Sequence, residues 1–200
     1  MDSLEHMLFN IDIPTGKPEQ GAILVSEPFL KDEYFNHSVI AMIEHEERST
    51  SMGVVLNHMI PFELQKVIDG IYRKEKIPVF CGGPMSRDRL FFLHSLGSLI
   101  PDSHLIKNGL YFSGDFDIMK EYVNSGMPLE GKIRFFVGYS GWSQGQLLQE
   151  IKDNVWAVTS FSDSENLLAG KGDAYWHRFV RQMGEKYRGW LYHPGNIRDN

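Results

Sequence analysis

A chain of 200 residues, 42% apolar and 23% charged, has the composition of a folded globular protein, and it can bury one core without a disulfide or metal staple. The net charge is −6 and the basic residues are dispersed, the densest group, Arg73-Lys74-Glu75-Lys76, being broken by a glutamate; this argues against direct nucleic-acid binding through phosphates. A single cysteine, Cys81, excludes an internal disulfide; with no signal peptide and no apolar run near the ~20 residues of a membrane span, the expected location is the cytoplasm, without membrane contact.

In chain order, residues 1–20 are polar and carry Pro14, Gly16 and Pro18; they read as an N-terminal segment with one short helix, on which Leu4, Met7 and Leu8 share a face. Short apolar, β-branched runs bounded by turn residues predict strands at 21–26 (GAILVS), 37–44 (HSVIAMIE) and 53–57 (GVVLN). Pro61, followed by Leu64, Val67, Ile68 and Ile71 at helical spacing, predicts a helix. Further strands are expected at 77–81 (IPVFC), 90–94 (LFFLH), 109–112 (GLYF), 132–139 (KIRFFVGY) and 155–161 (VWAVTSF). Helices are expected at 115–124, capped by Asp115, after Ser143-Gln144-Gly145-Gln146, which has the form of a capping box, and at 173–183; Ser162-Asp163-Ser164-Glu165 has the same form. Strands and helices do not alternate regularly. The reading is therefore one α+β domain over 21–186 with a mixed or mainly antiparallel sheet, followed by a tail, 187–200, whose aromatics tie it to the domain or to a partner.

The ordered pieces Phe80-Cys81-Gly82-Gly83-Pro84, Leu90 to His94 and Phe136-Val137-Gly138-Tyr139-Ser140-Gly141-Trp142, followed by Gly145-Gln146-Leu147, resemble the AlgH/YqgE family of bacterial proteins over about residues 20–185. The resemblance implies an α+β domain in the cytoplasm, no cofactor, no assigned reaction and a regulatory association that does not require DNA contact. Ser140 and Cys81 stand where the family commonly carries other residues, which argues against a family-wide chemical role for either side chain.

The residues themselves offer several chemical readings. Gly138-Tyr139-Ser140-Gly141-Trp142 nearly spells a nucleophile elbow at a strand-to-helix turn, but the fifth position is a bulky Trp where a small residue is needed. The helix start after that turn offers backbone N–H groups to an anion, with Tyr139, Trp142 and Gln146 as candidate pocket walls. Cys81 has no cation beside it in sequence and reads as a buried, inert thiol. His45, His58 and His94 match no zinc spacing, and no metal is expected. His94, two residues from Phe92, reads as a half-buried, hydrogen-bonded histidine, and Asn57 as a strand-end turn residue or ligand contact. Nucleotide and calcium loops are missing from the sequence. The expectation is a regulatory or protein-interaction domain, with Asn57, Gly82, Gly83, His94, Tyr139, Trp142 and Gln146 as candidate binding residues. The alternative is a small-molecule pocket, binding or catalytic, at the Gly82-Gly83 and Gly138–Gly145 turns.

Overall fold

The computed structural model describes residues 16–192, Glu47 excepted. Ten strands, β1 (Ile23–Ser26), β2 (Val39–His45), β3 (Ser51–Val55), β4 (Met59–Glu63), β5 (Pro78–Cys81), β6 (Met85–His94), β7 (His104–Lys107), β8 (Leu110–Phe112), β9 (Ile133–Trp142) and β10 (Trp156–Thr159), join in the order β10-β1-β2-β3-β9-β6-β8-β7. Strand β5 pairs with β9 in parallel and with β4 antiparallel, and every other pair is antiparallel, so the sheet is mixed and mainly antiparallel. The helices are α1 (Leu64–Val67), α2 (Phe116–Asn124), α3 (Gln146–Lys152), α4 (Ser164–Leu167) and α5 (Gly172–Gln182), with 3₁₀ turns at Gly97–Leu99 and Glu185–Tyr192.

The apolar runs of the first strands follow from burial on both faces. Along β1 and β2, Ile23, Val25, Val39, Ala41 and Ile43 face one core, while Leu24, Ile40 and Met42 face another. Alternate residues of a strand point to opposite faces, so a strand covered on both sides reads as continuously apolar. Helix α5 covers the first face with Tyr175, Trp176, Phe179 and Val180; α3 covers the second with Leu147 and Ile151; α2 places Met119 and Val123 in a third core with Phe92 and Phe135. Asp115 caps α2 as expected, its carboxylate accepting from the N–H groups of Asp117 and Ile118. Tyr187 and Trp190, in the segment read as a tail, are buried in the core beside Trp176.

Several expected elements are corrected. The helix expected from Pro61 onward is strand β4 followed by a single helical turn. Ile68 is already extended, and Gln65 turns its side-chain amide to the carbonyls of Arg73 and Glu75. Strand β7 was not foreseen, its four residues being flanked by turns and two of them exposed. Helix α4 is capped by the carboxylate of Asp163, which receives the N–H groups of Glu165 and Asn166, and not by Ser162. The helix expected within residues 1–20 lies largely outside the described residues.

The largest correction concerns the stretch 138–142, read as a turn between strand and helix. It is strand: β9 runs on to Trp142, and α3 starts at Gln146 after Gly145 in a left-handed conformation (φ 76°). Residues 133–137 of β9 pair with β5 and β6, whereas residues 140–142 pair with β3. Gly138 (φ 73°) sits at the change of partner. There the Gly82 N–H donates to the Val137 carbonyl, and the Gly82 carbonyl accepts from the Val55 N–H.

Candidate functional site

The two glycine-rich corners do come together, but against each other. A β-carbon on Gly82 would lie 2.2 Å from the Gly138 carbonyl oxygen, and one on Gly83 (φ 147°) would lie 2.4 Å from the Tyr139 backbone. A β-carbon on Gly138 would meet the Gly83 carbonyl at 2.5 Å. Only glycine permits this approach. The room left by the missing side chains is filled by the opposite backbone.

The neighbouring candidates are absorbed in the same way. Ser140 is sealed within the strand and donates its hydroxyl proton to the Gly82 carbonyl at 3.0 Å. Trp142 is a core residue whose indole N–H donates to Glu150 Oε2 at 2.8 Å; the same oxygen receives the Trp156 indole N–H at 2.7 Å. Gln146 donates its amide to Glu150 Oε1 and accepts from the N–H and hydroxyl of Ser143, so the reaching-back half of the expected capping box forms. Tyr139 is half-buried, edge-on to Phe91. Cys81 is half-buried, with Gly83 O 3.8 Å from its sulfur.

His94 is fully buried, beyond the half-burial expected for it, and fully bonded. Its Nδ1 accepts from the Leu96 N–H, so the proton lies on Nε2, which faces the Ser113 carbonyl at 3.1 Å and the Ser103 hydroxyl at 2.9 Å. Burial holds its pKa below the usual imidazole value. His45 shares a hydrogen bond with Ser51.

Asn57 leads to a different place. Its carbonyl accepts from the Val39 N–H at 2.9 Å, and its amide donates to the carbonyls of His37 (2.9 Å) and Gly172 (3.2 Å). Its own backbone carbonyl accepts from the Gly172 N–H. One carboxamide thus ties the segment before β2 to the first turn of α5. The side chains held there are His37, His58, Asp173 and His177.

His37 is 1% exposed and left-handed (φ 45°), a conformation uncommon outside glycine but tolerated by histidine. Its ring stacks on the Trp176 indole, and neither nitrogen has a hydrogen-bond partner. The nearest carboxylate oxygen, Asp173 Oδ1, is 3.5 Å from Nδ1 and belongs to a mostly exposed side chain. Burial pushes the His37 pKa down, and Asp173 only partly opposes it. His58 is also lowered by burial, against the raising effect of the His37, Asn36 and Tyr34 carbonyls. The His177 ring is edge-on to His37 at 6.0 Å, its Nδ1 donating to the Asp173 carbonyl. This is a neutral, sealed imidazole beside a solvated carboxylate. Among the described residues, no three His, Cys, Asp or Glu side chains are placed to hold a metal ion.

A second buried polar group is Arg134, 4% exposed on β9. Its Nη1 donates to the Leu56 carbonyl, and its Nη2 to the carbonyls of Leu168 and Gly170, each at 2.6 Å. Sequence reasoning weighed His58 only as a metal ligand and passed over His37, Asp173, His177 and Arg134. The available signals were a charged residue inside the most apolar strand, and a histidine opening a strand that otherwise packs on two cores.

The model of the AlgH-like family matches residues 23–188, which span the glycine corners, the histidine cluster and Arg134. The chain belongs to the AlgH-like family. Relatives described as UPF0301 proteins include one from Parabacteroides distasonis, 46% identical over 88% of this chain and 89% of its own length, and one from Bacteroides fragilis, 42% identical over 94% of each. Two solved structures are similar. One, from Corynebacterium diphtheriae, has a TM-score of 0.72 at 24% identity, covering 92% of this chain and 96% of its own. The other, AlgH from Pseudomonas aeruginosa, has a TM-score of 0.67 at 23% identity, covering 89% and 95%. At these identities they establish the AlgH-like fold alone. The described residues contain no helix long and apolar enough to cross a membrane.

Proposed function

We propose that the protein is a non-enzymatic, cytoplasmic interaction domain that binds another protein through the surface built by β4, α1 and the loop after them. The observation that carries this reading is the distribution of exposed apolar side chains. Among the described residues, four of the eleven large apolar side chains left exposed (Met59, Phe62, Val67 and Tyr72) fall within residues 59–72. The backbone of a fifth, Met127, lies beside Arg73, which donates to its carbonyl at 2.7 Å. Exposed apolar side chains concentrated in one short stretch of chain favour a docking face over residues scattered singly along it. Among the described residues strand β4 pairs with β5 alone, and Pro61 on it restrains edge-to-edge pairing, so side chains rather than backbone would carry recognition. An effect on transcription would then run through the partner, in keeping with the net charge of −6.

The test is crosslinking in cells followed by purification of the tagged protein. Phe62→Asp should abolish a specific crosslinked partner, while Leu105→Asp, an exposed apolar residue on β7, should leave it. A crosslink pattern identical for both variants, or a purely self-associated product lost with Phe62→Asp, would overturn this reading.

A further inference from the structure

We infer that the cleft beside Arg134 is a binding site for a small carboxylate carried on an apolar or aromatic body. The cleft encloses about 310 Å³ and is walled by Phe80, Leu129 and Ile133, with Arg134 among its lining residues and Lys171 and Glu130 also bordering it. That volume lies at the lower end of the range typical of small-molecule sites, and the pairing of apolar walls with a few polar groups is typical of them. Nothing in this inference depends on the docking face of β4, which is a separate surface with its own test.

The observation that carries the inference is a buried charge that no carboxylate among the described residues contacts directly. A buried guanidinium normally faces a carboxylate, because taking a cation out of water is expensive unless an opposite charge and hydrogen bonds offset it. Arg134 makes three carbonyl bonds from Nη1 and Nη2. Among the described residues, no carboxylate lies within 4.0 Å of it. The Phe80 ring stands 4.5 Å from its central carbon, which supplies a π face and no counter-charge.

The other charged groups around Arg134 leave the balance positive. Glu130 is exposed, with one oxygen held by the Gly170 N–H at 2.8 Å. Lys171 is exposed, and Arg178 adds a further positive charge nearby, both guanidinium groups lying against the Tyr175 ring, at 5.5 Å for Arg134 and 4.5 Å for Arg178. Arg134, Lys171 and Glu130 sum to one positive charge at the cleft. A monoanion fits that balance, and its apolar body fits the Phe80, Leu129 and Ile133 walls. A carboxylate accepting a charge-assisted hydrogen bond there gains more than a neutral group of the same shape.

Calorimetric titration of the full-length protein with octanoate, benzoate, octan-1-ol and inorganic phosphate tests this. Octanoate or benzoate should bind roughly tenfold or more tighter than octan-1-ol, the charge-assisted bond being the difference, and phosphate should not bind. Lys171→Glu should weaken carboxylate binding, and Leu129→Trp, which fills the cleft, should abolish it with the thermal midpoint retained. Arg134→Met should erase the preference for acid over alcohol; where that variant fails to fold, the other two decide. Equal affinity for acid and alcohol, tight binding of phosphate alone, no carboxylate binding at millimolar concentration, or binding untouched by Leu129→Trp would each overturn the proposal.

Discussion

The imidazole of His37 lies parallel to the indole of Trp176, with ring centroids 4.1 Å apart and 5° between the planes. The stack fills one face of the ring, and the surrounding protein seals both nitrogens. The indole is itself anchored, donating its N–H across the core to the Ser26 carbonyl at 3.0 Å. A histidine so placed favours the neutral form, and burial makes it harder to protonate in the folded chain than in the unfolded one.

Stability should therefore fall on acidification. His37, His58 and His94 all have folded pKa values below the usual 6.5, with burial as the largest cause for each. Below 6.5 the unfolded chain binds more protons at these sites than the folded one, so their contribution is complete above 6.5 and is lost as pH falls through the lowered folded values. Urea midpoints measured between pH 8 and pH 5 should decline in the acid half of that range. His37→Phe should flatten the decline, and an unchanged pH profile in that variant would assign the effect elsewhere.

Asn57 connects the same region to the rest of the fold. Replacing it with Ala leaves the Val39 N–H and the carbonyls of His37 and Gly172 without their partner. Buried groups stranded in this way cost about 1–3 kcal/mol each at most, and a total loss of about 2–4 kcal/mol is expected because water reaches the α5 side. Asn57→Asp should do no better: it keeps the acceptor but aims a carboxylate at two carbonyls. Equilibrium denaturation reads both.

What the sequence made legible, and what it hid, divides along physical lines. Continuous apolar runs marked β1, β2 and β9 because those strands are buried on two faces, and Asp115 marked the start of α2 because capping is local. The segment 61–71 misled because its apolar spacing suits a helix, while the chain turns extended at Ile68 and Gln65 bonds to a loop ten residues away. The corner at Gly138 misled in a deeper way. Its glycines were read as a turn, but they mark where β9 changes partners, a feature set by strands more than fifty residues distant in sequence. Asn57 was legible as a candidate from its place at a strand end; its partners, His37 and Gly172, were not, since only the folded topology brings them to it.

The glycine corner gives a sharp distinction between architecture and chemistry. Gly82→Ala puts a methyl group 2.2 Å from the Gly138 carbonyl oxygen, a clash with backbone that no rotamer relieves. A loss of about 3 kcal/mol or more is expected. Ser140→Ala removes one hydrogen bond to the Gly82 carbonyl and should cost only about 1 kcal/mol. Thermal unfolding of the two variants should therefore rank glycine far above serine; the reverse ranking would mean the corner has room to move.

Glu150 offers a graded test of a second polar arrangement. One of its oxygens takes the indole N–H groups of both Trp142 and Trp156, side chains that are 4% and 1% exposed. Glu150→Gln keeps a carbonyl oxygen for the indoles but removes the negative charge that strengthens those bonds, and should cost about 1 kcal/mol. Glu150→Ala strands two buried donors and should cost about 2–4 kcal/mol. Because the Trp142 and Trp156 rings meet edge to face at 6.2 Å, the near-ultraviolet dichroism should weaken in the Ala variant and persist in the Gln variant. A Gln variant as unstable as the Ala variant would show that the charge, and not the hydrogen-bond acceptor, is what holds the pair.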